Sequence, residues 1–129
     1  MTLAEWAIFA AVMLILAPLG PVKALGAREF DNGDPRNEAF YDKPIRKRAY
    51  NAHKNGVETF PFFAAAVLLA ELRHAPQGWV DGLAAAFIIV RIGYVLAYVG
   101  DKPTLRSAIW ALGLLINIAI FFLPVFARG

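Results

Sequence analysis

The chain has no cysteine among its 129 residues, which excludes disulfide frameworks, thiolate metal sites and a cysteine nucleophile. Its two histidines, His53 and His74, are so differently placed that no metal site is expected, and both read as solvated or interfacial. Charge is scarce as well: Asp, Glu, Lys and Arg make up 18% of the residues, against about a quarter in a soluble domain. The charge is also clustered, with 13 of the 23 charged residues between Arg28 and Glu58. A soluble globule, a disordered chain and a nucleic-acid binder are therefore poor readings. The net charge of +3 and the pI near 9.5 come from few charges on an apolar chain, and no nucleic-acid partner is expected.

Apolar side chains are what the sequence has in excess. Hydrophobic residues are 59% of the chain and the mean hydropathy is +0.52. A hydrocarbon core about 30 Å thick needs roughly 20 apolar residues of helix to cross it. Residues 3–22 supply that with Glu5 as their one charge, residues 79–99 with Asp81 and Arg91, and residues 107–126 with Asn117 as their strongest polar group. A fourth run, TFPFFAAAVLLA over 59–70, is too short to span. It crosses only if its helix extends backwards through Arg48, Asn51, Lys54, Asn55 and Glu58. The expectation is one domain over 1–129, an all-α integral membrane four-helix bundle with spans near 3–24, 45–73, 78–100 and 104–127. The first segment lacks a basic leader, and Pro18-Leu19-Gly20-Pro21 reads as a kink or helix end rather than a cleavage site, so a retained span is expected.

Loop charge orients these spans. The stretch 23–48 holds turn chemistry at Gly26, Asn32-Gly33, Asp34-Pro35 and Lys43-Pro44. It also carries seven basic residues: Lys23, Arg28, Arg36, Lys43, Arg46, Lys47 and Arg48. The turn at 100–103 adds Lys102, with Arg106 just beyond, whereas 71–78 holds Arg73 alone. The positive-inside bias puts the first and third loops in the cytoplasm and both termini outside, with Arg128 a single contrary charge. In a bacterial cell this is a multi-pass protein of the inner membrane.

Ionisable residues at membrane depth are costly, about 2.5–3.5 kcal/mol each on insertion scales, and face protein or water. At about 100° per residue, Arg48, Asn51, Asn55 and Glu58 form a stripe roughly 80° wide, with Lys54 beside it and His53 pointing away. Arg91, Tyr94 and Tyr98 share a face of the third span, and Arg106, Ser107 and Trp110 cluster at the start of the fourth. Each has a structural explanation: Glu58 paired with Arg48 or Lys54, Asn51 and Asn55 as interhelical hydrogen-bond glue, the tyrosines as an interfacial belt. Jointly they are harder to dismiss. Arg48, Lys54, Arg91 and Arg106 face only Glu58, so an uncompensated cationic pocket awaits an anion.

The stretch from Arg48 to Phe62, RAYNAHKNGVETFPF, resembles the signature of the MAPEG family, the membrane-associated proteins in eicosanoid and glutathione metabolism. That signature is an arginine, then A-H/Q-x-N-x-x-E, then an aromatic-rich P-x-F. The third-span RIGYVLAY and the following LRSAIW are similar to family segments in the same order. The resemblance implies four-helix subunits assembled as a homotrimer, with glutathione as co-substrate between neighbouring subunits near the cytoplasmic side. It also implies membrane lipids and a lipophilic small-molecule substrate as partners. Carried over residue by residue, Arg48, Asn55, Glu58, Arg91 and Tyr98 match glutathione contacts. Asn51 and Lys54 stand where some relatives have arginine, and Tyr94 stands where members have tyrosine or histidine. Arg106 matches the arginine regarded as activating the thiol, with Ser107 beside it as in the prostaglandin-E synthase branch and Trp110 where that branch has tyrosine.

The implied chemistry is a glutathione-dependent transferase or peroxidase acting on a lipophilic electrophile or hydroperoxide through an arginine-stabilised thiolate. The alternative is a non-catalytic lipid-binding or scaffold protein of the same fold. A channel subunit would need a continuous polar path, and the outer half of every span is almost purely apolar. The absence of cysteine makes the orientation directly testable. Asn32→Cys is expected to react with a membrane-impermeant maleimide from the cytoplasmic side only, and Gln77→Cys from the opposite side only.

Overall fold

The computed structural model of the chain describes residues 1–127, so Arg128, the contrary charge in the orientation, lies outside the described residues. Helix α1 runs Leu3–Leu16 and starts with a reciprocal cap. The Thr2 hydroxyl accepts from the Glu5 N–H at 3.1 Å, and a Glu5 carboxylate oxygen accepts from the Thr2 N–H at 2.8 Å. Pro18 has no N–H to continue the ladder, so the helix breaks and resumes as α2, Leu19–Leu25. The carbonyl of Ile15, stranded at that break, accepts from His53 Nδ1–H at 2.8 Å. His53 is thus a half-buried tie between spans.

Helix α3, Pro44–Leu72, begins with proline in its first turn and stays helical through the whole polar segment. Its 29 residues make a rod about 43 Å long, enough to cross the hydrocarbon and still carry several turns at the membrane boundary. Pro61 lies inside it. Two residues earlier the Thr59 hydroxyl donates back to the Asn55 carbonyl at 3.1 Å. Helix α4 is Gln77–Val99 and α5 is Pro103–Phe122, followed by a 3-10 turn, Leu123–Phe126. Four helical stretches are long and apolar enough to cross a membrane: Leu3–Leu25, Pro44–Leu72, Gln77–Val99 and Pro103–Phe126.

Helices α3 and α4 form the centre, and both α1 and α5 pack against that pair. The interior is made of small residues. Ala4, Ala7 and Ala11 of α1 meet Ala66 and Ala70 of α3 and Ala84 of α4 in one buried cluster. Phe63 and Phe87 stack within it at 4.2 Å between ring centres. Trp6, Phe9, Trp79, Ile89, Leu96, Leu115 and Phe122 point outwards. Lipid is as apolar as leucine, so large side chains gain little by hiding from it. Small ones let backbones approach and gain dispersion contacts instead.

Polar groups fasten the two ends. At the amino-terminal end Asp81 Oδ1 accepts from the Ala4 N–H at 2.8 Å, placing a carboxylate on the positive end of α1. Glu71 accepts from the Thr2 hydroxyl at 2.6 Å, and Gln77 bridges Glu71 and Asp81 at 2.9 and 3.1 Å. At the opposite end the loop after α2 is pinned by Glu29, which pairs with Lys43 at 3.0 Å and Arg46 at 2.8 Å. Arg46 lies over Phe40 at 4.4 Å, and Tyr41 stacks on Tyr50 at 4.2 Å.

Asp81→Ala leaves the first N–H groups of α1 without that carboxylate. It should lower unfolding stability in detergent by about 1–2 kcal/mol, read as a reduced midpoint of thermal unfolding. Hydrogen bonds from Arg46 and then Lys43 hold the Glu29 carboxyl down to about 2 from an ordinary 4.5. Its hold on the loop is therefore complete above pH 4.5 and lost as the pH falls through about 2. Hydrogen exchange across 27–42, corrected for its intrinsic pH dependence, should rise over that window, and Glu29→Gln should exchange fast throughout.

Candidate functional site

The polar stripe of α3 is divided between different surroundings. Asn55 turns towards α4, where its Oδ1 accepts from Arg91 Nη1 at 3.0 Å. Arg91 is the deepest cation of the bundle and only 7% exposed. Its guanidinium lies 4.1 Å from the centre of the Tyr94 ring, one turn along its own helix. Gly56 leaves the space for this. A Cβ there would stand 3.0 Å from Ile15 Cγ1, close enough that the Ile15 side chain would have to shift by a few tenths of an ångström, and at an ordinary 3.7 Å from Arg91 Nη2.

Arg106 is positioned by the first turn of α5. Its guanidinium rests on the Tyr98 ring at 4.4 Å, and Tyr98 meets Tyr94 edge-on at 5.7 Å. No acidic residue occupies that first turn, so the positive end of the helix adds to the arginine. Asn55, Tyr94, Tyr98, Arg106, Ser107 and Trp110 line one open cavity of about 240 Å³. Six of the residues singled out by sequence therefore converge.

Others do not. Arg48 Nε donates to the Val99 carbonyl at 3.0 Å, capping the negative end of α4. Lys54 lies over the Tyr50 ring at 4.9 Å and, with Asn51, lines a separate cavity against the loop residues Glu38, Tyr41 and Asp42. Glu58 is exposed and borders a second, apolar groove of about 180 Å³ between α3, α4 and α5. Thr59, Phe62, Arg91, Gly113 and Asn117 border the same groove, and Trp110 belongs to both it and the polar cavity.

The charges at the site are not neutralised among the described residues. Among the described residues the ion pairs are those of Glu29 with Lys43 and Arg46, at the far side of the loop. Arg48, Lys54, Arg91 and Arg106 have no carboxylate partner there, and neither does Glu58. The groove was not anticipated, although a signal existed. Arg106, Trp110, Gly113 and Asn117 follow one another at spacings of four, three and four, which continues the stripe of α5 two turns deeper. The tie from His53 to Ile15 had no local signal, because it depends on where α1 breaks.

A helical bundle with four spanning stretches, a cationic cavity at one end and an apolar groove beside it defines a multi-pass integral membrane protein with a site for amphipathic chemistry. The MAPEG family model matches residues 3–126, and the chain belongs to that family of membrane proteins of eicosanoid and glutathione metabolism. No curated protein and no solved structure matches the chain.

Proposed function

We propose that the protein is a glutathione-dependent transferase or peroxidase of the membrane, acting on a lipophilic electrophile or hydroperoxide. The observation that carries this reading is the pair of unneutralised arginines, Arg106 lining the polar cavity and Arg91 lining the apolar groove and bonded to Asn55 of the cavity wall, with Trp110 a wall of both. A small acidic thiol fits the first compartment and a molecule partitioning from the bilayer fits the second.

Glutathione offers two carboxylates, one ammonium and one thiol. Arg91, Arg48 and a lysine take the carboxylates, since charge-assisted bonds to guanidinium are the strong kind. Glu58, without a cation of its own, takes the ammonium. Arg106, with the helix end behind it and Ser107 beside it, donates to the sulfur and lowers its pKa below the ordinary value of about 8.5. The thiolate lone pair then forms the bond to the electrophilic atom as the leaving group departs with its electrons. Asn51 and Lys54 border a different cavity from Arg106. That division supports an assembly, the homotrimer implied by family, in which they complete a neighbour's site. The site then lies at the cytoplasmic side, with both termini on the other.

Wild-type protein in detergent should bind glutathione at millimolar concentration or below and conjugate a chloronitrobenzene. Arg106→Ala should keep glutathione affinity within about threefold and lose roughly a hundredfold in kcat, with loss of the thiolate absorbance of the complex. Undetectable binding at millimolar glutathione refutes the enzyme reading and leaves lipid binding by the groove as the function.

A further inference from the structure

A third cavity lies away from both compartments, at the end that positive-inside charge assigns to the cytoplasm. The break at Pro18 opens it. Helix α1 packs on both α3 and α4, but past the break α2 packs on α3. The result is a cleft of about 290 Å³. Pro21, Val22 and Leu25 of α2 form one wall, Val95 and Val99 of α4 the other, and Ala49 of α3 lies at the back. Its outer edge is bare: Leu25 is 91% exposed, and Ile45, at the start of α3, is 54% exposed.

Cations gather where the cleft meets the loop. Arg46 lines it and shares the one carboxylate of Glu29 with Lys43, at 2.8 and 3.0 Å. Lys23, next to Val22 in sequence, lies over the Phe30 ring at 5.1 Å. Phe30 meets Phe40 edge-on at 5.2 Å, and Arg46 covers Phe40 at 4.4 Å. That aromatic pair brings Lys23 to the Arg46 cluster, and among the described residues Lys23 has no carboxylate partner. Asp42 borders the separate cavity with Lys54. Three cations against one carboxylate leave a surplus of two positive charges. They are accessible: the Lys43 side chain is 57% exposed and Lys23 is half-buried.

Apolar walls reaching towards the bilayer, with spare positive charge at their loop end, match the two parts of an acidic lipid. We propose that this cleft binds an anionic phospholipid of the cytoplasmic leaflet, with an acyl chain between α2 and α4 and its phosphate at Lys23, Lys43 and Arg46. A purely apolar occupant, such as a span of another protein, leaves the surplus charge unanswered. A zwitterionic lipid brings an ammonium that offsets its phosphate. None of these residues belongs to the thiol site, so the proposal stands or falls apart from the transferase reading.

The test is native mass spectrometry of the full chain in detergent, titrated with palmitoyl-oleoyl phosphatidylglycerol or with the phosphatidylcholine of identical chains. Wild type should take up one phosphatidylglycerol per subunit about tenfold more tightly than phosphatidylcholine. Lys23→Gln combined with Lys43→Gln leaves Arg46 and Glu29 paired and the loop pinned, and should bring the ratio to about one. Val22→Phe fills the cleft and should weaken phosphatidylglycerol roughly tenfold. Glycerol phosphate, a headgroup without chains, should not displace the lipid. Equal affinity of wild type for the two lipids overturns the proposal, as does a preference that survives the double variant. Full phosphatidylglycerol affinity in Val22→Phe, or displacement by glycerol phosphate, reduces the site to a surface anion contact and overturns it too. A changed subunit count with unchanged lipid uptake in Val22→Phe assigns the cleft to a second copy of the chain and is equally fatal.

Discussion

Arg91 sits inside a membrane span without a carboxylate beside it, and much of the molecule is arranged around that guanidinium. A cation at such depth is disfavoured by about 2.5–3.5 kcal/mol on insertion scales unless protein or water receives it. Here Asn55 accepts one of its hydrogen bonds and Tyr94 offers a ring face. Both are neutral groups, which hold the side chain without cancelling its charge. For Asn55 to reach it, α3 must remain helical through its polar segment and approach α4 closely at that level. Gly56 puts no Cβ against the Ile15 side chain at that level, and the His53 tie to Ile15 fixes the end of α1 against the same turn. A carboxylate in place of Asn55 would hold the arginine more firmly and leave no field for an incoming anion.

The same logic separates structural charge from spare charge elsewhere. Asp81, Glu71 and Glu5 are all engaged in hydrogen bonds that fasten α1 at its amino-terminal end. Glu29 serves Lys43 and Arg46. Among the acidic residues carried on the helices, Glu58 is the one with no hydrogen-bond or ion-pair partner, and it borders the same groove as Arg91. The paired carboxylates thus lie away from the polar cavity, while Arg106 lines it and Arg91 adjoins it through Asn55. Alanine packing in the interior makes this tolerable, because backbone proximity rather than ion pairing brings α1, α3 and α4 together.

Much of the architecture could be read from one-dimensional patterns, because a membrane imposes length and hydropathy on each span. Four stretches of sufficient length and the backward extension of α3 through Arg48, Asn51, Lys54, Asn55 and Glu58 follow from that constraint. Angular periodicity places Arg91, Tyr94 and Tyr98 on one face, and they are found so arranged. Periodicity does not say which neighbour a face meets. Asn51 and Asn55 lie one turn apart yet border different cavities, because the loop carrying Tyr41 folds over one and α5 covers the other. Arg48 was legible as a cation but not as the cap of α4, since that needs the end of a helix distant in sequence. The groove depends on the spacing of three helices, and a hydropathy pattern carries only the bare hint of Asn117 in an apolar run.

Trp110 explains why two compartments of opposite character can cooperate. A polar cavity alone would admit water and any small anion, and an apolar groove alone would store lipid. On the proposed reading, the shared indole brings a charged thiol and an apolar reactant to the same few ångströms, while neither has to enter the other's solvent. An exposed aromatic face tolerates both environments, because its ring is apolar and its N–H can meet a polar partner. The arrangement also orders the chemistry in depth. On the proposed reading the sulfur is activated where α5 begins and the positive end of the helix is strongest. On the same reading the apolar reactant lies along the groove that runs from Trp110 towards Asn117, with its apolar chain against Phe62, Phe87 and Leu114.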